Sequence, residues 1–495
     1  MGIIIKQSIK GAIWSYLGVA IGFVTTAYLF PKHLSADIIG LFSVLLAYSI
    51  LFSQIASLGF NGITSRLFPY FRNPEKQHNG YTFIAFANML LGISLFLILF
   101  FVLKPYLIAS KIEKSALLSD YIWLLIPLTG FTLLFVILDE INKLLYNAVF
   151  GRFLQEFLQR TLIFSVTILF IFNIINLHQF ILAYVVGVSA KGLIIFMYLL
   201  FRNELHFKPQ LDFITPTLKR DMISVALFNI LSGAGSSLIF QLDKIIINKM
   251  LGLGQTGIYT IAFFFGTLVI IPSRTLLKIS GTLIADAWKR EDTSYILKLY
   301  KQTCINQFIL ALFLFGGIWI NIDNILTILP AEYAGGRWVI FFIGLGYVID
   351  MATGANGQII AYSKYYRSAL WFVVLLIGVV VLSLMSFVPI WGIVGAAISI
   401  AFAFFVNNLL RFLFLYKKYG MQPFTWTFVW IIAVFLLAYG ISYALPTLSL
   451  VPDILLRSTV FTIIFISIIL KLKVSEEINQ MVQKLFAMIN KKWKS

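Results

Sequence analysis

The sequence has one cysteine and few charged residues. Cys304 stands alone, so an intrachain disulfide is impossible and a cysteine-based metal site cannot be assembled. Asp, Glu, Lys and Arg make up 12% of the 495 residues, against about 25% in soluble proteins. Walker A, HExxH, GxSxG and DxD patterns are missing from any usable context. ATP hydrolysis, zinc proteolysis and serine hydrolysis therefore have no support in the sequence.

Long apolar segments take the place of the missing charge. Hydrophobic residues make up 60% of the chain, and the mean hydropathy is +0.93. A helix that crosses the hydrocarbon needs about 20 mostly apolar residues, and such segments follow one another along the whole length. We therefore predict an all-α, polytopic membrane protein. Its fourteen predicted spans lie near 11–30, 38–60, 81–103, 118–138, 156–175, 178–201, 222–247, 255–279, 302–322, 333–353, 368–388, 391–415, 425–445 and 454–472.

Lysine and arginine outnumber the acidic residues 38 to 20, which gives a net charge of +18. This excess does not predict nucleic-acid binding, because the cytoplasmic segments of membrane proteins retain Lys and Arg. With the N-terminus inside, 29 of these residues fall on the inner side and 8 on the outer side, while Lys191 lies within a span. The sequence therefore predicts that both termini are cytoplasmic.

An internal repeat predicts two similar halves. Residues 31–44 (PKHLSADIIGLFSV) and 248–261 (NKMLGLGQTGIYTI) match at five positions with a constant offset of 217. FGRF after Asp139 and YSKY after Asp350 form a second pair, at an offset of 211 to 212. Parallel repeats of this kind place the substrate path between the halves. The predicted domains are a six-helix lobe at 1–205, a second at 206–420, two additional spans at 421–473 and a tail at 474–495.

The tail carries apolar residues three or four positions apart, with lysines between them. This pattern is typical of an amphipathic helix that lies on the inner membrane surface and is attracted to anionic lipid. A solvated basic tail is the alternative.

Polar residues within spans are the candidate functional residues, because a charge near the bilayer centre costs about 2.5–3.5 kcal/mol and needs a partner or a wet cavity. Span 7 places Asn229, Ser232, Ser236, Asp243 and Lys244 within about 120° of one helix face, which predicts a polar stripe directed away from lipid. Alternatively, its two charged residues lie at the outer end and reach water.

The inner end of span 4 stacks Asp139 and Lys143 on one face, with Glu140 beside them. Lys143 would contact a phosphate and a carboxylate would bind a coupling cation; otherwise this is a helix end that emerges into water. Lys191 is far from either end of span 6 and is predicted to face a cavity. Asp350 lies at the end of span 10. It either faces a cavity or a neighbouring helix, or lies at an exposed helix end, and the sequence favours neither alternative.

Three further cations are candidates: Arg66 after span 2, and Arg274 and Lys278 at the cytoplasmic end of span 8. Taken one at a time, each is typical of a residue that only marks the cytoplasmic side. Together they would surround an inward-facing vestibule and attract an anionic head group.

Four segments of the chain resemble the polysaccharide-transporter family, which holds the O-antigen and exopolysaccharide flippases. It belongs to the superfamily that also contains multidrug extruders and peptidoglycan-precursor flippases. The segments are LGFNGITSRLFPYF (58–71), LDKIIINKMLGLGQTGIYTIAFFFG (242–266), LPAEYAGGRWVIFFIGLGYV (329–348) and GQIIAYSKYYRSALW (357–371). The resemblance extends over essentially the whole chain and includes the number of spans.

The resemblance implies a V-shaped, MATE-like transporter with a central cavity and alternating access. Its cargo would be an oligosaccharide linked through pyrophosphate to a polyprenol, carried to the outer leaflet of the bacterial cytoplasmic membrane for lipopolysaccharide O-antigen or another polysaccharide. The cationic cavity residues of the family would correspond to Arg66, Lys191 and Arg274. Its partners would be membrane lipids, a polysaccharide polymerase and other assembly proteins.

No cofactor is expected. Coupling to protons or sodium ions through Asp139, Glu140, Asp243 or Asp350 is an additional hypothesis. Two other functions remain open. A small-molecule antiporter would favour acidic and aromatic cavity residues, whereas the candidates here are mostly basic. A membrane-embedded glycan polymerase or glycosyltransferase would need a substantial outward loop or acidic residues in the first one, which holds Lys32, His33 and Asp37.

Overall fold

The computed structural model describes residues 2–108, 116–239 and 241–480, without the side chains of residues 2–10, 12, 211, 231–239 and 275. Within these ranges the chain is helical and contains no strand. Short 3-10 or π-helical turns join several of the helices. The helices are α1 Gly2–Phe23, α2 Phe30–His33, α3 Ala36–Ala56, α4 Phe60–Phe71, α5 Tyr81–Ile108, α6 Ala116–Tyr121, α7 Leu125–Leu144, α8 Ala148–Arg152, α9 Gln159–Ile171, α10 Leu177–Phe201, α11 Pro216–Ile239, α12 Leu242–Leu251, α13 Leu253–Thr267, α14 Ile271–Lys289, α15 Thr293–Ile320, α16 Ile322–Ile328, α17 Arg337–Ala352, α18 Asn356–Tyr362, α19 Ser368–Tyr419, α20 Thr427–Tyr443 and α21 Leu450–Lys471.

Eleven helical stretches of the described ranges are long and apolar enough to cross a membrane. α19, the longest, is one of these eleven stretches. Gly392 breaks it with a φ of 58° shortly after Pro389, so it supplies the two predicted spans 368–388 and 391–415. The apolar helix α20 is shorter, with 17 residues, and the pair α11 and α12 covers predicted span 7. The protein is thus a multi-pass membrane protein with about fourteen spans.

The chain divides into two compact units, Met1–Thr260 and Ile261–Ser495. The lobe boundaries at residues 205 and 420 remain predictions.

In the first unit, α3 and α7 are the central helices, and α7 packs along α10. Leu41, Val44 and Leu45 of α3 are fully buried. The ring of Phe42 stacks on that of Tyr184 with centroids 3.8 Å apart. Aromatic stacking and close van der Waals packing hold these helices together. Lipid tails are as apolar as the helix surfaces, so the hydrophobic effect adds little to helix association in the membrane.

Predicted span 2 ends earlier than residue 60. α3 ends at Ala56, after which Leu58 and Gly59 have positive φ angles of 50° and 74°. α4 then begins at Phe60 as a separate amphipathic helix. Its buried residues include Phe68, whose ring packs edge-on against that of Tyr81 in α5 with centroids 5.0 Å apart.

In the second unit, α17 packs along α19, and α20 and α21 pack together against α15. Arg457 joins the last two spans. Within α21 it forms a buried ion pair, in which its Nε lies 2.7 Å from Oδ2 of Asp453. The same guanidinium donates to the carbonyl oxygens of Ser442 and Tyr443 at the end of α20 and to that of Leu445 just beyond it. Arg457 therefore satisfies carbonyls that have no partner within the helix.

The internal arrangements of the two units match. In the first, α7 packs along α10 and leads into the short helix α8. In the second, α17 packs along α19 and leads into the short helix α18. Asp139 and Asp350 lie near the ends of α7 and α17, so these two carboxylates occupy equivalent places.

Candidate functional site

A pocket of about 390 Å³ lies between α4 and α11 in the first unit. Arg66 and Tyr70 are exposed on the α4 side, and 73% of the surface of Tyr70 is accessible. The full lining is Arg66, Leu67, Tyr70, Thr217, Leu218, Asp221, Ser224 and Val225. One cation, one carboxylate, two aliphatic hydroxyls and a phenol thus surround a single space.

The amphipathic pattern of α4 places Arg66 in this pocket. Phe60, Leu67 and Phe71 are buried on one face, so Arg66 and Tyr70, four residues apart, lie together on the other. Among the described residues, no carboxylate lies within 4.0 Å of the Arg66 guanidinium, and the guanidinium donates no hydrogen bond to any of them. Its charge is available to a ligand.

Lys143 lies between two carboxylates at the end of α7. Its Nζ is 2.7 Å from Oδ2 of Asp139 and 3.3 Å from Oε2 of Glu140. Ser65 of α4 donates to Oε1 of Glu140 at 2.7 Å, which links the two helices. An anionic ligand at Lys143 would compete with both carboxylates. Oδ1 of Asp139 is buried and has no hydrogen-bond partner within the described ranges.

Lys191 is half-buried on α10, where its Nζ lies 5.0 Å from the ring centroid of Phe135 on α7. No carboxylate of the described residues lies within 4.0 Å of it. An ammonium over an aromatic face is stabilised by the ring quadrupole. The aromatic face thus gives this cation a partner between two tightly packed helices.

The predicted polar stripe of span 7 does not run along one helix. α11 ends at Ile239 and α12 begins at Leu242, so Asn229 and Asp243 belong to different helices. The change of helix breaks the 100° spacing on which the prediction rested. Asn229 packs against Gly62 of α4. The side chains of Ser232 and Ser236 lie outside the described residues.

Asp243 is fully buried and both of its carboxylate oxygens accept hydrogen bonds. The Tyr259 hydroxyl donates to Oδ2 at 2.7 Å, and the Lys244 backbone N–H donates to Oδ1 at 2.8 Å. Lys244 itself is half-buried. Asp243 therefore ties α12 to the middle of α13, a contact that the sequence did not predict because it depends on a residue sixteen positions away.

Asp350 joins a polar network in the second unit. Asn408 of α19 donates to its Oδ1 at 2.8 Å, and Oδ1 of Asn408 accepts from Thr353 and Asn356 at 2.9 Å each. Unlike Asp350, Asn356 and Asn408 of this network were not singled out from the sequence, because amides within an apolar segment carry no spacing signal of their own.

Arg274 and Lys278 are exposed on α14. They do not lie at the end of a membrane-crossing stretch as predicted, since the stretch that begins at Leu253 continues to Lys289. Thr282 and Asp286 are exposed at the same four-residue spacing. The helix therefore has a polar face that continues beyond residue 279, where the predicted span ends.

The model of the family described as "polysaccharide biosynthesis protein" matches residues 8–284. An uncharacterized membrane protein of Methanocaldococcus jannaschii is 23% identical over an alignment of 456 positions that covers 84% of this chain and 87% of that protein.

Two solved structures are similar over most of the chain. The lipid II flippase MurJ, in an inward closed conformation, has a TM-score of 0.73 at 13% identity and covers 94% of this chain and 99% of its own. An inward-facing multidrug resistance MATE family transporter of the MOP superfamily has a TM-score of 0.64 at 15% identity, with 82% and 94% coverage. These similarities show the fold, and they confirm the predicted all-α, MATE-like class.

Proposed function

Because this chain belongs to the polysaccharide biosynthesis protein family, we propose that it is a flippase for a polyprenyl-pyrophosphate-linked oligosaccharide. The glycan would be an O-antigen repeat unit or that of another surface polysaccharide. It would move from the inner to the outer leaflet of the bacterial cytoplasmic membrane by alternating access, with both termini of the chain in the cytoplasm. A polymerase and other assembly proteins would receive it there.

The pocket around Arg66 is the observation that carries this proposal. A guanidinium offers planar, bidentate hydrogen bonds to phosphate oxygens, and that of Arg66 has no carboxylate within 4.0 Å among the described residues. Thr217 and Ser224 supply hydroxyl donors, and Tyr70 supplies an exposed ring for a sugar face. The volume of about 390 Å³ is at the small end of ligand pockets, about 300–1,000 Å³, and suits a pyrophosphate with its first sugar.

The physics of the cargo suits such a site. A pyrophosphate with its glycan cannot enter hydrocarbon, whereas the polyprenol tail need not leave it. A wet site that offers a cation and opens to lipid would meet both constraints. With the interior negative, export of negative charge releases about 2.3 kcal/mol per charge per 100 mV, so the membrane potential favours the outward step.

For ion coupling, the geometry supports Asp139 better than Asp243. Asp243 is satisfied at both oxygens by Tyr259 and by backbone. In contrast, Oδ1 of Asp139 is buried without a hydrogen-bond partner within the described ranges, a costly arrangement that a proton or a cation would relieve. Glu140 and Asp350 are the other carboxylates proposed for this role.

The test is a strain that lacks this protein, in which the leaflet holding newly made lipid-linked glycan is measured. Accumulation on the inner leaflet is expected, with rescue by the wild-type chain. Arg66→Ala should fail to rescue, and Arg66→Lys should rescue in part because it keeps charge but loses the bidentate geometry. Arg220→Ala is the matched control, since Arg220 is exposed on α11 and does not line the pocket.

Unchanged glycan export in the deletion strain would contradict the proposal. If amphiphilic drugs accumulated instead, a small-molecule antiporter would be the better account. Ionophores that collapse the proton or the sodium gradient should slow transport in vesicles, and transport insensitive to both would exclude ion coupling.

A further inference from the structure

A groove of about 420 Å³ lies in the second unit, where the last span ends. α21 ends at Lys471, and the following residues turn back onto the first turns of α15. The Ser475 hydroxyl donates to Oδ1 of Asn306 at 2.6 Å, and the Gln302 amide donates to Glu477. The Ile478 N–H donates to the same Ser475 hydroxyl at 3.2 Å. Ser475 is buried, so one wall of the groove is fixed by specific contacts.

The groove carries opposite charges on its two walls. Lys298 and Lys301 are three residues apart on α15 and therefore share a helix face. Glu476 and Glu477 lie on the other wall. Among the residues that the structure describes, neither lysine has a carboxylate within 4.0 Å. The walls are thus charged but not paired with each other.

The surface between these charges is partly apolar, because Leu297, Ile305 and Val474 also line the groove. Its position follows from the helices that form it. α15 begins at Thr293 and α21 ends at Lys471, so the groove lies where membrane-spanning helices leave the hydrocarbon. Lipid head groups occupy this level, and the Lys and Arg distribution predicts the cytoplasmic face.

We propose that this groove binds the head group of a phospholipid that carries both a phosphate and a primary ammonium, as phosphatidylethanolamine does. The phosphate lies between Lys298 and Lys301, and the glycerol esters cover the apolar surface. The ammonium donates to Glu476, beside the negative charge of Glu477, whose own oxygens accept from Gln302, Asn306 and Ser475. An anionic head group without an amine leaves the two carboxylates facing its negative charge. A choline head group has no N–H to donate to them. This site is independent of the cargo proposed above.

The test is mass spectrometry of the purified full chain under native conditions, with phosphatidylethanolamine, phosphatidylglycerol and phosphatidylcholine of identical acyl chains offered in equal amounts. The wild type is expected to retain phosphatidylethanolamine about fivefold better than phosphatidylcholine. The pair Lys298→Ala and Lys301→Ala should lose phosphatidylethanolamine and phosphatidylglycerol alike. The pair Glu476→Gln and Glu477→Gln should lose only the preference for the amine-bearing lipid.

Two further variants separate a bound head group from a general surface charge. Leu297→Trp fills the groove without changing its charge and should lower phosphatidylethanolamine retention. Lys289→Ala with Lys364→Ala removes two exposed lysines of the same unit that do not line the groove, and retention should stay at the wild-type level. The proposal is wrong if the wild type shows no head-group preference, if it prefers phosphatidylglycerol, or if both charge pairs behave as the wild type does.

Discussion

Gly40 of α3 and Gly257 of α13 pack reciprocally, each with its Cα against a backbone carbonyl of the other's helix. Gly40 lies against the carbonyl of Leu253, and Gly257 lies against that of Ala36. The same offset of 217 residues relates Ala36 to Leu253 and Gly40 to Gly257. Contacts exchanged in this way are what a twofold axis produces, so the two repeated segments meet each other as related copies.

Gly257→Val should destabilise this contact strongly, because a Cβ at Gly257 would overlap the Ala36 carbonyl, which is backbone and cannot turn away. The expected loss is about 1–3 kcal/mol, as for other overpacked sites. Thermal unfolding in detergent measures it. Gly254→Ala is the control, since its Cβ would meet only Oδ1 of the Asp37 side chain at 3.2 Å. Equal melting temperatures for the two variants would contradict the prediction.

The sequence aligned Gly40 with Gly257 through the internal repeat, but it did not predict their contacts, because a repeat shows which positions correspond and not which of them meet. It also predicted most spans, since hydropathy depends on local composition alone. It did not predict the change of helix at Gln241 or the continuation of α14 to Lys289, because neither alters the apolar average of a window. Arg66 was found as a cation. The pocket it shares with Asp221 and Ser224 depends on how α4 meets α11, which no local pattern encodes.

Tyr259→Phe should destabilise the protein by about 1–3 kcal/mol, because it leaves a carboxylate oxygen of fully buried Asp243 without its donor. Asp243→Asn should also cost stability. The double variant should lose less than the sum of the single losses, because the two residues share one hydrogen bond. The melting temperatures of the wild type, the two single variants and the double variant complete this double-mutant cycle. Strictly additive losses would show that the contact contributes nothing.

Lys191→Ala should abolish export of the lipid-linked glycan, and Lys191→Arg should retain it, because the positive charge above the Phe135 ring is what the cargo would require. Phe135→Leu should reduce export in part by removing the aromatic partner of the cation. The measurement is the leaflet distribution of the glycan in the deletion strain, with protein levels matched by immunoblot. Full rescue by Lys191→Ala would remove this residue from the transport path.

Arg457→Met should destabilise the pairing of α20 with α21 by about 3–5 kcal/mol, because it leaves Asp453 as a buried, unpaired charge. It also uncovers the carbonyl oxygens at the end of α20. Replacing both partners, Asp453→Leu with Arg457→Met, should be less damaging than the single change. Thermal unfolding compares the variants, and the reverse order would mean that Arg457 acts through its carbonyl contacts alone.

The break at Gly392 has a practical consequence for mapping the sidedness of this protein. At φ 58° and ψ −136°, a conformation open essentially to glycine alone, two membrane-crossing segments join within a few residues and leave no loop. An epitope or reporter enzyme inserted there would force apart two helical segments that have no loop between them. Residues 444–449, between α20 and α21, connect two helices instead. Insertion tags, accessible-cysteine labels and limited proteolysis should therefore be directed to that connection to report which side of the membrane the chain has reached.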